Sequence, residues 1–235
     1  GAAPRLMRWA WGRELGWVID GPEHLLDTSK PVIGFDQTDV LDNSDARGPI
    51  LSTIFHVTEK LLDGRPVIWV LDEVWKSLLD EQFAPLIHDA LKTRGKLNSP
   101  VILGTQSPKD ALNSPIAHTI VEQCGSMAHF ANPKAKVGGY GAGGLGMSEE
   151  KVETIASLQP GSGFFLWEQG PDSVVLQMPL HGLDDEIAVL SGKQETVKLL
   201  DAMPPDVLAD PARMLAAFHA ARKTAGRIQH KEAVP

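Results

Sequence analysis

One cysteine, Cys124, is all that 235 residues contain. An internal disulfide is therefore excluded, a reducing compartment is expected, and Cys124 reads as a small core residue. Long apolar runs are also missing: stretches such as Val67 to Leu71 fall far short of the roughly twenty residues that span a bilayer. Residues 1–5 lack the charged and apolar regions of a secretory signal. The eight histidines show no metal-ligand spacing with Cys124, which argues against a zinc site. Gly161-Ser162-Gly163 lacks the spacing of a hydrolase nucleophile elbow. No internal repeat occurs.

Positive charge is scarce as well. Lys and Arg number 22 against 30 Asp and Glu, a formal net charge of -8, which argues against a protein whose main task is to neutralise nucleic-acid phosphates. The exception is residues 211–235, where Arg213, Arg222, Lys223, Arg227 and Lys231 face one acid, Glu232. Two readings stand for this tail: a solvated terminal helix, or a dock for an acidic partner or a membrane-bound complex.

What is present is ordinary globular material, 43% hydrophobic and 22% charged, enough for one sizeable α/β domain with or without an appendage. Its most informative stretch runs from Arg65 to Lys76. Val67 to Leu71 is a continuous apolar run between Pro66 and two adjacent acids, the pattern of a central parallel strand covered on both faces. Ligands sit at the carboxyl edge of such a sheet. Neighbouring strand residues point to opposite faces, so Asp72 and Glu73 fit two tasks there: one anchoring a phosphate-bound magnesium ion, the other orienting a water. The alternative is a strand entering a helix, with the acids favourable at its amino terminus.

Elsewhere, Gly16–Asp20 and Pro31–Asp36 read as short strands. Ile50–Leu62 has a helical apolar period, and so does the segment carrying Phe83, Leu86, Ile87, Ala90 and Leu91, with Pro85 in its first turn. Pro100–Thr105 reads as a second buried strand. Ser107 with Pro108, and Ser114 with Pro115, read as helix starts. Ser126–Phe130 reads as a third central strand, and Ser148 as the cap of a helix with Glu149 and Glu150 in its first turn. Gly163–Trp167 and Val174–Met178 read as a hairpin, and Asp210-Pro211 as the opening of a terminal helix packed through Met214, Leu215 and Phe218. The glycine-rich stretch 138–146 lies between helical patterns, so it reads as a flexible loop and not as a phosphate site. The alternation predicts an α/β fold, a mostly parallel sheet with helices on both faces plus a carboxyl-terminal hairpin and helices.

Gln106 comes just after the second strand, so its amide is expected at the same carboxyl edge as Asp72 and Glu73, in reach of an attacking water and a terminal phosphate. A glutamine there also serves to bond a loop backbone. Arg94 stands seven residues after Ile87 and three after Leu91, which prolongs the apolar stripe of its helix. It reads either as an arginine finger for a neighbouring subunit's nucleotide or, with Lys92 and Lys96, as charge complementing the helix dipole.

In order along the chain, Gly16-Trp17-Val18-Ile19-Asp20, Leu62-Asp63-Gly64-Arg65-Pro66, Leu71-Asp72-Glu73-Val74-Trp75-Lys76, Leu91-Lys92-Thr93-Arg94, Thr105-Gln106-Ser107-Pro108, Ile120-Val121-Glu122-Gln123, Asn132-Pro133-Lys134-Ala135 and Val189-Leu190-Ser191-Gly192 resemble the carboxyl-terminal ATPase domain of the CagE/TrbE/VirB class of type IV secretion and conjugation ATPases. The resemblance runs from about Leu15 to about Leu200. It implies a RecA-like (P-loop NTPase) motor domain over residues 1–203, with a terminal helix and basic tail over 204–235. It also implies ATP hydrolysis driving pilus assembly and substrate transfer, and a cytoplasmic location at the inner-membrane base of the secretion machine. The implied partners are further copies of the chain, a second ATPase, the DNA-coupling protein and inner-membrane subunits. By the resemblance Asp72 would hold Mg2+ through water, Glu73 would activate the attacking water, Gln106 would sense the terminal phosphate of ATP, and Arg94 would reach the neighbouring site. Gly95 stands after Arg94 where the family more often has a second basic residue.

The family's Gly-x-x-x-x-Gly-Lys-Ser/Thr loop is missing. The only Gly-Lys pairs, Gly95-Lys96 and Gly192-Lys193, lack the earlier glycine and the subsequent hydroxyl. The expectation is a partial motor domain without its phosphate-loop strand, binding ATP poorly and inactive alone, with strand edges left unpaired. Two other readings stay open: a non-hydrolysing oligomerisation or docking module, and a DNA-pumping coupling ATPase, which the negative charge disfavours.

Overall fold

The computed structural model describes residues 2–20, 27–78 and 80–232. It divides into two compact units, Gly1–Leu176 and Gln177–Pro235.

In the first unit, helix α1 (Ser44–Glu59) starts earlier than its apolar period suggests, because the Asn43 side chain accepts from the Asp45 and Ala46 amides. Strand β1 (Trp69–Leu71) leads into a short helix α2 (Val74–Leu78) and then α3 (Phe83–Thr93). The Asp80 carboxylate accepts from the Gln82 and Phe83 amides and so fixes where α3 begins. Strand β2 (Val101–Leu103) pairs parallel with β1, in the register Trp69↔Val101, Val70↔Ile102 and Leu71↔Leu103. Helix α4 (Pro108–Leu112) is capped by Ser107 as expected. Helix α5 (Ala117–Gln123) starts beyond Ser114-Pro115, because Ser114 opens a turn in which its own carbonyl accepts from the Ala117 amide.

Alternation decides which face of this small sheet is covered. Trp69 packs into a core with Leu51, Phe55, Val74, Leu78, Phe83 and Ile87, joined by Ile116 and Ile120 from the α5 region. On the other face Ile68, Val70 and Ile102 are 63%, 65% and 52% exposed. The expectation of a strand covered on both faces is therefore corrected: among the described residues the apolar run is real but only one of its faces is packed.

Strand β3 (Ser126–Phe130) forms as expected, yet it does not extend the parallel sheet. It pairs antiparallel with β4 (Phe164–Gln169), in a three-stranded sheet completed by β5 (Asp172–Gln177). Between them helix α6 (Glu149–Ser157) starts at Ser148, whose hydroxyl accepts from the Lys151 amide, and packs Val152 and Ile155 against Leu166, Tyr140 and Met147. Among the described residues the fold is thus α/β with one parallel and one antiparallel sheet, not one mostly parallel sheet. The β4–β5 turn is Gly170-Pro171, with Gly170 at φ +56°, a left-handed setting that glycine adopts without penalty.

Three other expectations change. Gly16–Ile19 is a helical turn closed by local bonds such as Asp20 N–H to the Gly16 carbonyl. Residues 32–37 form neither helix nor strand. The glycine-rich stretch is not simply a loop: Val137–Tyr140 is a helical turn, Tyr140 is buried, and its carbonyl accepts from the Met147 amide at 2.8 Å.

The second unit holds helices α7 (Asp184–Leu190), α8 (Gln194–Asp201) and α9 (Pro205–Leu208), each packed on α10 (Pro211–Glu232). The Asp210 carboxylate accepts from the Ala212 and Arg213 amides and opens α10. Of its three expected packing residues Phe218 is fully buried, Met214 half-buried and Leu215 exposed. Two cations of the basic tail are paired within the unit, Arg222 with Asp185 at 2.7 Å and Arg213 with Asp206 at 3.1 Å. Side chains from residue 225 onward, Arg227 and Lys231 included, lie outside the described residues. Among the described residues no helix is long and apolar enough to cross a membrane.

Candidate functional site

Parallel pairing of β1 and β2 brings both carboxyl ends to one edge, and the polar residues just beyond each strand meet there. The Gln106 amide nitrogen donates to Glu73 Oε1 at 2.7 Å across 33 residues of sequence. Asp72 Oδ1 accepts from the Glu73 amide at 2.9 Å. Glu73 itself has φ +48°, a left-handed backbone that costs a non-glycine residue about 1 kcal/mol or more and is found where surrounding structure holds it. Its flanks are held: the Gly104 amide donates to the Leu71 carbonyl at 2.8 Å, and the Val74 amide donates to the Gly104 carbonyl at 3.2 Å.

Asp72 and Gln106 are exposed and Glu73 half-buried, so the edge is open to a ligand. A groove of about 1160 Å³ runs along β1 to Asp72 and Glu73, walled by the segment 30–38 and by Ile54 and Thr58 of α1. The arrangement offers three groups in one place: a carboxylate on Asp72 held through one oxygen, a second carboxylate on Glu73, and an amide that fixes the orientation of the second. Hard carboxylate oxygens suit Mg2+, which takes one or two of them and completes its shell with phosphate and water. Among the described residues there is no cluster of three or more His, Cys, Asp or Glu that would hold a metal without such help.

Arg94 lies elsewhere. It is 2% exposed, its guanidinium carbon sits 3.8 Å from the centroid of the Trp69 ring and 5.2 Å from that of Phe55, and Nη2 is 3.4 Å from Glu59 Oε1. Burial pushes its pKa below the ordinary value, against the pull of Glu59. The expected apolar stripe is real, and in this chain the side chain follows it into the core.

Known proteins resemble the chain over most of its length. No protein-family model matches the chain. The type IV secretion system protein virB4 of Bartonella quintana is 43% identical over 224 residues, covering 95% of this chain and 28% of that protein. The virB4 protein of Brucella abortus is 36% identical over 228 residues, 94% of this chain and 27% of that protein. The chain belongs to the VirB4 family. PtlC, a type IV secretion system protein of Bordetella pertussis, is 35% identical over 213 residues, 90% of this chain and 26% of its own length. The chain thus spans about a quarter of the length of the VirB4 relatives it matches. A solved structure of VirB4 from Thermoanaerobacter pseudethanolicus has the same fold, with a TM-score of 0.61 over 78% of this chain and 50% of that one at 18% identity.

Two features of this VirB4-family chain escape sequence reasoning. One is Gly104, whose role is spatial and whose only signal is a glycine between an apolar strand and Thr105-Gln106. The other is a part-buried network with no local signal. His129 Nε2 lies 2.9 Å from Glu168 Oε2, while the Lys151 ammonium donates to Glu168 Oε1 at 2.7 Å, joining β3, β4 and α6. Burial pushes the His129 imidazole below its ordinary pKa, the Glu168 carboxylate pulls it up, and Lys151 adds a smaller downward push. A histidine that protonates less readily folded than unfolded contributes stability that is full above its unfolded pKa of about 6.5 and is lost as pH falls below it. The thermal midpoint is accordingly expected to drop between about pH 7 and pH 5.5, with that part of the drop absent in His129→Gln. An unchanged slope in the variant would remove His129 as its source.

Proposed function

We propose that Asp72, Glu73 and Gln106 form the hydrolytic half of an ATP site in a RecA-like motor domain of a type IV secretion system. The observation that carries this reading is the 2.7 Å bond from Gln106 to Glu73, which joins a carboxylate able to take a proton from water and an amide able to meet a terminal phosphate. Asp72, the nearer acid to the strand end, would hold Mg2+, which when bound neutralises charge on the phosphates. Glu73 accepts the proton of the attacking water, and Gln106 fixes where the accepting oxygen points. The roles of Asp72 and Gln106 rest on the family resemblance together with this placement.

The phosphate cradle would come from outside these 235 residues, since no phosphate-loop motif occurs in them. The open face of Ile68, Val70 and Ile102 supports further structure there: full burial of an exposed apolar side chain is worth about 1.5–3 kcal/mol, and more than half of each of these is still in water. In this reading the full-length polypeptide hydrolyses ATP to drive pilus assembly and substrate transfer. It works as an oligomer on the cytoplasmic side of the inner membrane, with a second ATPase, the coupling protein and inner-membrane subunits as partners. The same open face favours a second reading, a docking module that hydrolyses nothing.

Mg–ATP separates the two. Added to the 235-residue chain it is expected to give no thermal shift, while the full-length polypeptide is stabilised by the nucleotide and hydrolyses it. A full-length polypeptide that neither binds nor hydrolyses ATP would leave the docking reading.

A further inference from the structure

We infer that Gly104 is a positioning residue that holds the Asp72 carboxylate in place by having no side chain, an inference that rests on the hydrolytic reading of Asp72 and Glu73. Gly104 brackets the acidic pair: its amide donates to the Leu71 carbonyl and its carbonyl accepts from the Val74 amide. One residue at the end of β2 thus pins both ends of the two-residue turn that carries the acids. A Cβ at this position would lie 2.7 Å from Asp72 Oδ1 and 3.5 Å from Asp72 Cα, so the carboxylate occupies the space that any other residue would fill.

Gly104 is not among the glycines with a positive φ, and alanine can adopt its backbone. What the position requires is room. The atom that an added methyl would meet is the tip of a side chain with two free torsions, not backbone. The carboxylate therefore yields first: it swings off the methyl, releases the Glu73 amide it accepts from at 2.9 Å, and loosens the turn that holds Glu73 at φ +48°. The fold survives while both acids lose their aim.

Gly104→Ala, Asp72→Ala and the double variant in the full-length polypeptide test this by steady-state ATP hydrolysis across a range of Mg2+ concentrations. Displacing a catalytic group by about 1 Å costs about a hundredfold, so Gly104→Ala is expected to lower kcat by about that factor. The KM for ATP should stay nearly unchanged and half-saturation should need more Mg2+. With the carboxylate already gone the methyl meets nothing, so the double variant should be no slower than Asp72→Ala alone. In the 235-residue chain, the Glu73 amide resonance should move in Gly104→Ala while the thermal midpoint stays within about 2 °C. Wild-type kcat and Mg2+ response in Gly104→Ala would overturn the inference, as would multiplicative losses in the double variant or a collapsed thermal midpoint. If Asp72→Ala and Glu73→Gln both hydrolyse ATP normally, the hydrolytic reading itself fails. In that case a Glu73 resonance unmoved in Gly104→Ala also removes the hold on Asp72, and a moved one retains it.

Discussion

Glu73→Gln in the full-length polypeptide is expected to slow ATP hydrolysis by about 10²–10⁴-fold, the range for removing a general base, or about 3–5 kcal/mol of transition-state stabilisation. The substitution changes little else. Glutamine keeps a carbonyl oxygen that can accept from Gln106, as Glu73 Oε1 does, and it leaves the backbone bonds of Gly104 with Leu71 and Val74 untouched. What it loses is the ability to hold a proton taken from water. The effect should therefore fall on kcat, with nucleotide affinity and thermal midpoint near the unsubstituted values. Steady-state rates with a parallel equilibrium titration of nucleotide check both halves. Normal turnover would take Glu73 out of its proposed role.

Arg94 gives the largest expected change in stability. Arg94→Ala should cost about 2–4 kcal/mol in chemical denaturation, since it empties a site 2% exposed and removes a desolvated cation from the Trp69 face, a contact of about 2 kcal/mol in such settings. Arg94→Met fills most of the volume without the charge. Nη1 is buried with no hydrogen-bond partner among the described residues, and Glu59, about half exposed, can be solvated when left alone. Arg94→Met should therefore stay within about 1 kcal/mol of the unsubstituted chain. The pair also decides the residue's role. A packing cation predicts that the methionine variant of the full-length polypeptide keeps its ATP hydrolysis, and a finger that engages a neighbouring site predicts that it loses it.

The acidic edge was legible for a definite reason. Apolar runs bounded by Pro66 and Pro100 mark two strands, and parallel pairing puts the residues after both at one edge, so Glu73 and Gln106 can be joined across 33 residues without knowing any other contact. Partners of β3 were not legible, since a five-residue run reads the same whether its neighbour is parallel or antiparallel. The sheet it joins is set by β4 and by the Lys151–Glu168–His129 network. Gly16–Asp20 misleads for another reason. Its Trp, Val and Ile favour a strand only where a partner strand exists; here local bonds take the backbone, and the Asp20 carboxylate accepts from the Trp11 amide at 2.6 Å. The open face of β1 and β2 is set by no local pattern either, because an apolar strand looks alike whether its second covering layer is present or belongs to another part of a longer protein.

The most direct measurement is a structure of the full-length polypeptide with Mg2+ and a transition-state analogue of ATP. The terminal phosphate mimic should lie beside Gln106, with a water or its equivalent against Glu73 and the metal on the Asp72 side of the same edge. A nucleotide seated elsewhere, leaving the Glu73 and Gln106 side chains bonded only to each other, would contradict the account.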